Sequence, residues 1–461
     1  MNVVLINPYE LGRQPFALAQ PAAWLKESGH QVDCLDLSLE QLDCIALREA
    51  DCVAIYVGMH TATRIAIAAM PRIRELAPRA HISVYGLYAP LNDGLFRSLG
   101  AKTVFGGEVE PKLVSLMDDL ARDGYSTQTQ AETTLAKVDF RVPDRSTLPA
   151  LSRYAHLRLG DGLTRVVGFT EGSRGCKHLC RHCPVVPIYQ GKFRVVPVDI
   201  VMADIRQQVA AGAEHISFGD PDFLNGPTHA MRLVRALHAQ FPDLTYDVTI
   251  KVEHLIKSRG LLPTLKETGC LFVVSAVEAV DEAVLTHLDK NHTSEDFDRA
   301  VNLLSDVGIA FAPTFVAFTP WISLEGYVAL LKRLVVLRLV ESVPPIQLAI
   351  RLLVPSGSYL LQAPGFLDLI EAYDDQLLGY PWKHADRAVD DLQRDIQALV
   401  EATEEQGSSR RELFTRVWTL SHRALGQPVP ELPADLGKPI PHMSEPWYCC
   451  AEPTGQQLQQ F

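Results

Sequence analysis

The sequence predicts an α/β protein: a doubly wound N-terminal sheet, then a partial (β/α)6 barrel, then a helical C-terminal region. Short β-rich runs alternate with helical stretches from residue 3 to about residue 121, and a second alternation of this kind begins at residue 164. Such alternation is typical of parallel sheets covered by helices. We therefore predict a Rossmann-like domain over 1–121, a linker over 122–163, a barrel over 164–360, a helical region over 361–426 and a proline-rich tail over 427–461.

The composition excludes several classes of protein. With 461 residues, 47% of them hydrophobic, the chain has enough apolar material for real cores and is not a disordered protein. Its 43 basic and 55 acidic residues give a net charge of −12, which argues against a nucleic-acid partner held by phosphate neutralisation. Nine cysteines are too sparse for a disulfide scaffold. With neither a signal-peptide pattern nor a membrane-spanning apolar run, we expect a cytoplasmic protein in a reducing compartment.

The first alternation contains five predicted strands, and turn or polar residues follow the first four. In an open parallel sheet the carboxyl ends of the strands line the ligand crevice, so this domain is expected to hold a ligand. The five strands are Val3–Ile6, Val32–Leu37, Cys52–Val57, His81–Tyr85 and Thr103–Phe105.

The second alternation contains six predicted strands within about 190 residues, which indicates a parallel barrel whose active site lies at the carboxyl ends of its strands. Polar residues end the third strand, and we expect Lys251 and Glu253 either to point into the cavity or to pair on its rim. The six strands are Arg165–Thr170, His215–Phe218, Tyr246–Ile250, Leu271–Ser275, Phe311–Ala317 and Gln347–Leu352.

Three cysteines follow the first barrel strand with the spacing CxxxCxxC, at Cys176, Cys180 and Cys183. Three thiolates on one short loop can converge on a metal ion or a cluster. Structural zinc sites usually take four ligands, whereas three cysteines leave one position open for a substrate or cosubstrate. The alternative is a zinc knuckle completed by His178 or His182, or a set of thiols without a ligand.

This cysteine run, placed after the first strand of a β/α barrel, resembles the motif of the radical S-adenosylmethionine (SAM) superfamily. The resemblance implies a [4Fe-4S] cluster held by the three cysteines, with SAM chelating the fourth iron and being cleaved reductively to a carbon radical. It also implies a reductant protein such as flavodoxin or ferredoxin. The residue before the last cysteine is commonly aromatic in this family and packs on adenine; here it is His182.

Further positions resemble the SAM-binding segments of that family. Gly219 and Asp220 end the second strand and resemble the Gly-Gly-Glu segment, which implies a close backbone approach and a carboxylate for the SAM ammonium; the alternative is an ordinary turn and helix N-cap. Ser275 and Glu278 resemble the ribose-binding end of the fourth strand. Arg351 closes the sixth strand, and a buried arginine needs an anion, for which the carboxylate of SAM or of the substrate is the expected partner.

The first 121 residues resemble the cobalamin-binding domain that precedes the radical SAM domain in one large class. The matching pieces are Leu5–Pro8, Tyr85–Tyr88 and Phe105–Glu110. No Asp-x-His-x-x-Gly motif is present, so a bound cobalamin would lack the histidine ligand of that motif.

The tail contains the adjacent thiols Cys449 and Cys450 in the sequence Cys-Cys-Ala-Glu-Pro, which looks like the tail of a small radical SAM subfamily. Selenocysteine replaces the second cysteine in some of its members, which implies a soft nucleophile, a redox group or a metalloid ligand at Cys450. We predict that the tail folds over the barrel mouth, where both cysteines hold substrate or contact the open iron. The alternative is a flexible tail with incidental cysteines.

Taken together, these features predict a radical SAM enzyme that transfers a SAM-derived group, most simply methyl with cobalamin, to a small molecule or peptide. One alternative is cobalamin-free transfer of another fragment, such as aminocarboxypropyl, to a soft acceptor held by Cys449 and Cys450. A second is a non-catalytic metal or iron–sulfur sensor that uses Cys176, Cys180 and Cys183.

Overall fold

Two parallel sheets, each packed against helices, organise the computed structural model of the chain. The structure describes residues 1–42, 45–160, 162–406, 409–445 and 455–458. Cys449 and Cys450 of the predicted tail motif lie outside these residues.

The first sheet has six parallel strands in the order β2-β1-β3-β4-β5-β6. Its inner strands are buried along nearly their whole length because helices cover both faces, with one apolar cluster on each face. The strands are β1 (Asn2–Asn7), β2 (Gln31–Asp36), β3 (Cys52–Tyr56), β4 (His81–Tyr85), β5 (Thr103–Gly107) and β6 (Glu132–Thr134). The helices are α1 (Phe16–Glu27), α2 (Ile45–Arg48), α3 (His60–Leu76), α4 (Asp93–Ser98) and α5 (Glu110–Asp123).

The strand order reverses between β1 and β3, because the chain moves outward from β1 to β2 and then returns to the other side of β1. At such a switch point the two loops leave in opposite directions and open a crevice at the carboxyl edge. The crevice predicted from the sequence is therefore present, and it is lined by the residues that follow β1 and β3.

The second sheet curls into a half-barrel. Five parallel strands in the order β14-β13-β12-β11-β8 are extended by two antiparallel edge strands, β7 and β15. The strands are β7 (His156–Arg158), β8 (Thr164–Thr170), β11 (His215–Phe218), β12 (Thr245–Thr249), β13 (Cys270–Glu278), β14 (Ala310–Phe315) and β15 (His442–Met443), and a separate hairpin is formed by β9 (Ser173–Gly175) and β10 (Phe193–Val195).

Helices pack on the convex side of this half-barrel and share its large apolar core. They are α7 (Val198–Ala210), α8 (Pro227–Gln240), α9 (Val252–Lys257), α10 (Leu262–Glu267), α11 (Glu282–Leu288), α12 (Ser294–Val307) and α13 (Leu324–Val336). The short helix α6 (Val185–Tyr189) contacts β5 of the first sheet instead.

The sixth predicted barrel strand, Gln347–Leu352, is wrong. Residues Pro345–Leu348 form a 3-10 helix, and the segment meets β14's extension only through a single parallel bridge between Phe318 and Arg351. The side chain of Gln347 replaces the missing strand, because its Oε1 accepts the Phe315 amide at 2.8 Å. The apolar run is buried as expected, but a preceding pair of prolines sets a helical turn instead of a ladder.

The predicted linker and tail both contribute strands. Within 122–163, β6 extends the first sheet and β7 extends the second. In the proline-rich tail, β15 pairs antiparallel with β7. Two residues past β15, the Glu445 Oε1 accepts a hydrogen bond from the Tyr9 hydroxyl at 3.0 Å. The described part of the tail therefore docks beside the carboxyl end of β1.

The predicted helical region ends in a pair of amphipathic helices, α14 (Arg387–Gln406) and α15 (Arg410–Ala424). Helix α15 begins with a capping box in which Ser409 and Glu412 bond each other's backbone amides. The short helix α16 (Gly455–Leu458) is the last described element. Within the described ranges, none of the helices combines the length and the hydropathy that a bilayer span requires.

Candidate active site

The cysteine loop starts where the chain leaves the first barrel strand. After β8, the β9–β10 hairpin turns the chain, and its corner residue Gly175 has a φ of 72°. A Cβ atom there would lie 2.4 Å from the carbonyl oxygen of Lys192, so glycine is required both for the conformation and for the space. The next residue is Cys176, which places the loop at the carboxyl edge of the half-barrel.

The three cysteines lie close together. Cys180 is buried, Cys176 and Cys183 are partly exposed, and the Cys183 amide donates to the Cys180 carbonyl at 3.1 Å. Burial, together with the neighbouring sulfurs of Cys180 and Cys176, raises the pKa of Cys183 to about 12. Burial also raises the pKa of Cys176. Binding of a metal or cluster here must therefore displace thiol protons.

Two polar side chains donate to these sulfurs. Lys251 Nζ lies 3.7 Å from Cys180 Sγ, and Asn225 Nδ2 lies 3.6 Å from Cys176 Sγ. Lys251 was expected either to point into the cavity or to pair with Glu253 on the rim. It is buried and does both, because its Nζ reaches Cys180 and also lies 3.6 Å from Glu253. Three thiols with hydrogen-bond donors on two of them fit an iron–sulfur cluster, because N–H donors stabilise the negative charge of cluster sulfurs.

The histidines of the loop do not face the cysteines. His178 Nε2 lies 3.4 Å from Asp222, and His182 Nε2 lies 3.1 Å from Glu278. Each ring thus faces a carboxylate, so in this structure neither histidine completes a knuckle with the three thiols.

Glu278, at the end of β13, is the centre of a buried ionic group. Its backbone has a φ of 68°, and its Oε1 lies 3.1 Å from His182 Nε2 and 3.2 Å from Lys290 Nζ. Burial alone would raise the carboxyl pKa, but Lys290 and His182 outweigh it and hold the pKa at about 2. Lys290 was not singled out from the sequence, since a lone lysine twelve residues from its partner carries no pattern.

His182 and Glu278 also line a cavity of about 170 Å³. Cys183 borders the same cavity, and the remaining walls are mostly apolar, with Phe315, Val316 and Leu352 among them. The cavity therefore combines an apolar slot with one carboxylate and one imidazole beside the cysteine loop.

Gly219 and Asp220 turn toward the first barrel strand. Asp220 Oδ2 accepts the Gly172 amide at 2.8 Å and Oδ1 accepts the Ser173 hydroxyl at 2.5 Å. A Cβ atom on Gly219 would lie 2.3 Å from the ring of Phe169. Both residues thus shape the loop that precedes the cysteines, and Asp220 uses both carboxylate oxygens to do so.

Ser275 and Arg351 occupy different surroundings. Ser275 is buried in β13, and its hydroxyl has no hydrogen-bond partner among the described residues. Arg351 borders the cavity of His182, but its guanidinium is 2.7 Å from Asp390 and lies 3.5 Å from the ring centre of Trp382. The anion that Arg351 requires is therefore supplied by the chain itself.

A second cavity, of about 250 Å³, lies in the crevice between the two sheets. Arg174 crosses it and pairs with three carboxylates, at 3.0 Å to Glu108, 2.6 Å to Glu110 and 3.1 Å to Glu171. The predicted crevice of the first sheet is therefore a polar interface with the half-barrel. From the sequence, Phe105–Glu110 resembles a segment of the cobalamin-binding domain, but the pairing of Glu108 and Glu110 with Arg174 was not predicted.

Residues 170–319 match the family model of the radical SAM superfamily. The chain carries a radical SAM domain. The three cysteines, both donors to their sulfurs and the Glu278 group all lie within the matched residues.

The similarity to known proteins extends beyond the radical SAM domain of this chain. The hopanoid C-3 methylase of Methylococcus capsulatus is 22% identical over 329 residues, which are 67% of this chain and 62% of the methylase. The chain thus matches less than two thirds of that curated relative.

Two solved structures share the architecture. The cobalamin-dependent radical enzyme OxsB, with aqua-cobalamin and SAM bound, has a TM-score of 0.70 at 14% identity and covers 92% of this chain and 71% of its own. The methyltransferase TsrM from Kitasatospora setae, with tryptophan and aza-SAM bound, has a TM-score of 0.60 at 18% identity over 73% of this chain and 71% of its own. Together with the radical SAM domain, the first sheet therefore follows the fold of cobalamin-dependent radical SAM enzymes, which confirms the predicted fold class.

Proposed function

We propose that this chain is a radical SAM transferase that moves a SAM-derived group, most simply a methyl group with cobalamin, to a small molecule or peptide. The observation that carries the proposal is the loop of Cys176, Cys180 and Cys183 at the carboxyl edge of the half-barrel, with Lys251 and Asn225 donating to its sulfurs. The similarity to a methylase, to a radical SAM methyltransferase and to a cobalamin-dependent radical SAM enzyme supports methyl transfer.

In this proposal the three cysteines hold a [4Fe-4S] cluster. When bound, the cluster supplies one electron that cleaves SAM. Lys251 and Asn225 stabilise the negative charge on the sulfurs through hydrogen bonds. The electron comes from a reductant protein of the flavodoxin or ferredoxin class. Because the enzyme needs such a reductant, we place it in the reducing cytoplasm.

The cavity beside Cys183 is the candidate site for the adenosyl part of SAM. Its apolar walls suit a purine, and Glu278 suits ribose hydroxyls because an ionised carboxylate accepts hydrogen bonds. His182 supplies a flat ring at one wall. In this proposal, Ser275 on β13 is a second contact to the ribose. Gly219 and Asp220 act on SAM only if Asp220 gives up its bonds to Gly172 and Ser173.

Cobalamin would lie in the crevice at the carboxyl edge of the first sheet. Three glycines, Gly58, Gly86 and Gly107, border the cavity there and leave backbone exposed to a flat ligand. The polar amides of a corrin find partners in Glu10 and Arg13 on the same wall.

The crevice also supports a second candidate, in which no cobalamin binds and another SAM fragment, such as aminocarboxypropyl, is transferred. The observation in its favour is the ion pair of Arg174 with Glu108 and Glu110, which fills part of a cavity of only about 250 Å³. The tail cysteines Cys449 and Cys450 are the proposed holders of a soft acceptor in this case.

Anaerobic reconstitution with iron, sulfide and cobalamin tests these proposals. We expect about four irons per chain, their loss in the Cys176→Ala, Cys180→Ala and Cys183→Ala variants, and their retention in the matched core variant Cys270→Ala. Bound cobalt with 5′-deoxyadenosine and S-adenosylhomocysteine as products supports methyl transfer, whereas 5′-methylthioadenosine without cobalt supports the second candidate. A reduced, cluster-loaded protein that leaves SAM intact would be a sensor and would contradict both.

A further inference from the structure

A second group of ligand-type side chains lies beside the cysteine loop and has no place in the proposed function. It consists of His178 in the loop, Asp222 after β11 and His254 on α9, with one ligand atom of each lying within 4.8 Å of the other two. These residues come from the carboxyl ends of β8, β11 and β12, which are neighbours in the sheet. The fold thus brings two imidazoles and one carboxylate to one point.

The contacts within this group are not those of ordinary hydrogen bonds. Asp222 Oδ2 is 2.6 Å from His254 Nδ1 and 3.4 Å from His178 Nε2. Among the described residues, however, none of these three atoms makes a well-aligned hydrogen bond. Asp222 is fully buried, and poorly aligned contacts with two imidazoles compensate the burial of its carboxylate incompletely. Its other oxygen caps the following turn by accepting the Leu224 amide at 3.3 Å, so only Oδ2 is available to a ligand.

We propose that His178, Asp222 and His254 bind a divalent first-row transition-metal ion, separate from the cluster of the three cysteines. Two imidazoles with one carboxylate are a ligand set for ions such as zinc or ferrous iron. With bonds of about 2.0–2.2 Å, ligand atoms in such a site lie roughly 3–3.5 Å apart. The distance from Asp222 to His178, 3.4 Å, lies within this range, and the distance from Asp222 to His254, 2.6 Å, is shorter. One ion could bind all three of these atoms at once.

The carboxylate of Glu253 lies near the second ring nitrogen of His178. Glu253 Oε2 lies 3.8 Å from His178 Nδ1, the ring nitrogen that faces away from Asp222. Metal-binding histidines usually direct their second nitrogen to a carboxylate that fixes the ring. The same Glu253 oxygen is 3.6 Å from Lys251 Nζ, and Lys251 reaches Cys180. The metal site and the cysteine loop are therefore connected through two side chains.

The test is zinc binding by the cluster-loaded full-length protein, measured by equilibrium dialysis with metal analysis. We expect one zinc per chain in addition to the cluster iron. Asp222→Asn and His254→Gln should weaken zinc binding by more than about 100-fold, and Glu253→Gln by roughly 10-fold, with iron and sulfide contents unchanged. The matched control His238→Gln, on α8 and outside the group, should bind zinc as the unmodified chain does.

The adjacent tail thiols are an alternative zinc site, so the same titration is made in the C449A/C450A chain. Zinc binding that persists there and is lost on adding Asp222→Asn supports the site. The proposal is overturned if the unmodified chain binds no zinc, or if binding depends on the tail cysteines and not on Asp222. A chain without zinc whose SAM affinity falls in Asp222→Asn would assign Asp222 to the SAM ammonium instead. Because iron content and SAM cleavage are measured separately, failure of this site leaves the proposed function standing.

Discussion

Lys290 Nζ lies 3.2 Å from Oε1 of Glu278, and both side chains are buried beside the cysteine loop. The backbone on both sides of this pair is in the left-handed conformation. Glu278 has a positive φ angle, and so do Asp289 and Asn291, the two neighbours of Lys290; the three angles lie between 55° and 68°. Non-glycine residues adopt this region at a cost. The fold thus accepts local strain to keep a lysine and a carboxylate together at the wall of the proposed adenosyl site.

Replacing Lys290 by Met should destabilise the protein by about 3–5 kcal/mol, because Glu278 is left buried without its main cation. Urea unfolding of the metal-free chain measures the loss. The double variant K290M/E278Q removes both charges and should recover most of the lost stability. A double variant as unstable as K290M alone would mean that the charge on Glu278 is not the cause.

The interface between the two sheets depends on Arg174, whose three carboxylate partners come from both sides of the crevice. Arg174→Met should lower the free energy of unfolding by about 3–5 kcal/mol, since the buried carboxylates of Glu108 and Glu110 lose Arg174, and Glu108 keeps Arg194 at 3.5 Å. The control is Arg122→Met, where the same substitution removes an exposed pair with Asp119 and should leave the urea midpoint unchanged. Equal midpoints for both variants would show that the Arg174 network does not hold the interface.

Gly219 should be intolerant of a side chain for a packing reason that is independent of any ligand. Gly219→Ala places a methyl group 2.3 Å from the ring of Phe169 and should cost about 1–3 kcal/mol in thermal or urea unfolding. Gly260→Ala, which would meet no atom within 4 Å, is the matched control. Adding Phe169→Leu to Gly219→Ala should relieve the clash, and no recovery in that double variant would contradict this explanation.

The elements that were predicted correctly are those whose signal is local. The strands and helices follow from apolar periodicity, and the cysteine loop from its spacing, because each is encoded within about ten residues. The predicted strand Gln347–Leu352 failed because its apolar run indicates burial, whereas strand formation also needs a paired backbone. Here a glutamine side chain bonds the neighbouring strand instead.

Partners distant in the chain could not be predicted. Arg351 was expected to pair with an anion, and in the structure its guanidinium pairs with Asp390, 39 residues further along the chain, at 2.7 Å. The contacts of Asp222 are another example. Its Oδ1 accepts the nearby Leu224 amide, whereas the approach of His178 and His254 to Oδ2 depends on the order of the strands in the sheet. Such pairings depend on the tertiary structure and cannot be predicted from local sequence patterns.

His292 gives the protein a predictable loss of stability in mild acid. It is buried, its Nε2 lies 3.2 Å from the carbonyl oxygen of Val277, and burial together with the charge of Lys290 lowers its pKa from 6.5 to about 4. Between pH 6.5 and pH 4 the unfolded chain binds a proton at this residue that the folded chain does not bind. The folded state therefore loses stability as the pH falls through this window, by about 2 kcal/mol at pH 5 at 1.36 kcal/mol per pKa unit.

The variant His292→Gln tests this, because its amide can donate to the Val277 carbonyl but does not titrate. Urea unfolding of both proteins at pH 7.5 and pH 5 isolates the contribution, since all other titrating groups are shared. We expect the stability of His292→Gln relative to the unmodified chain to rise by about 2 kcal/mol on going to pH 5. A difference that stays constant between the two pH values would mean that His292 accepts its proton equally well in the folded and unfolded chains.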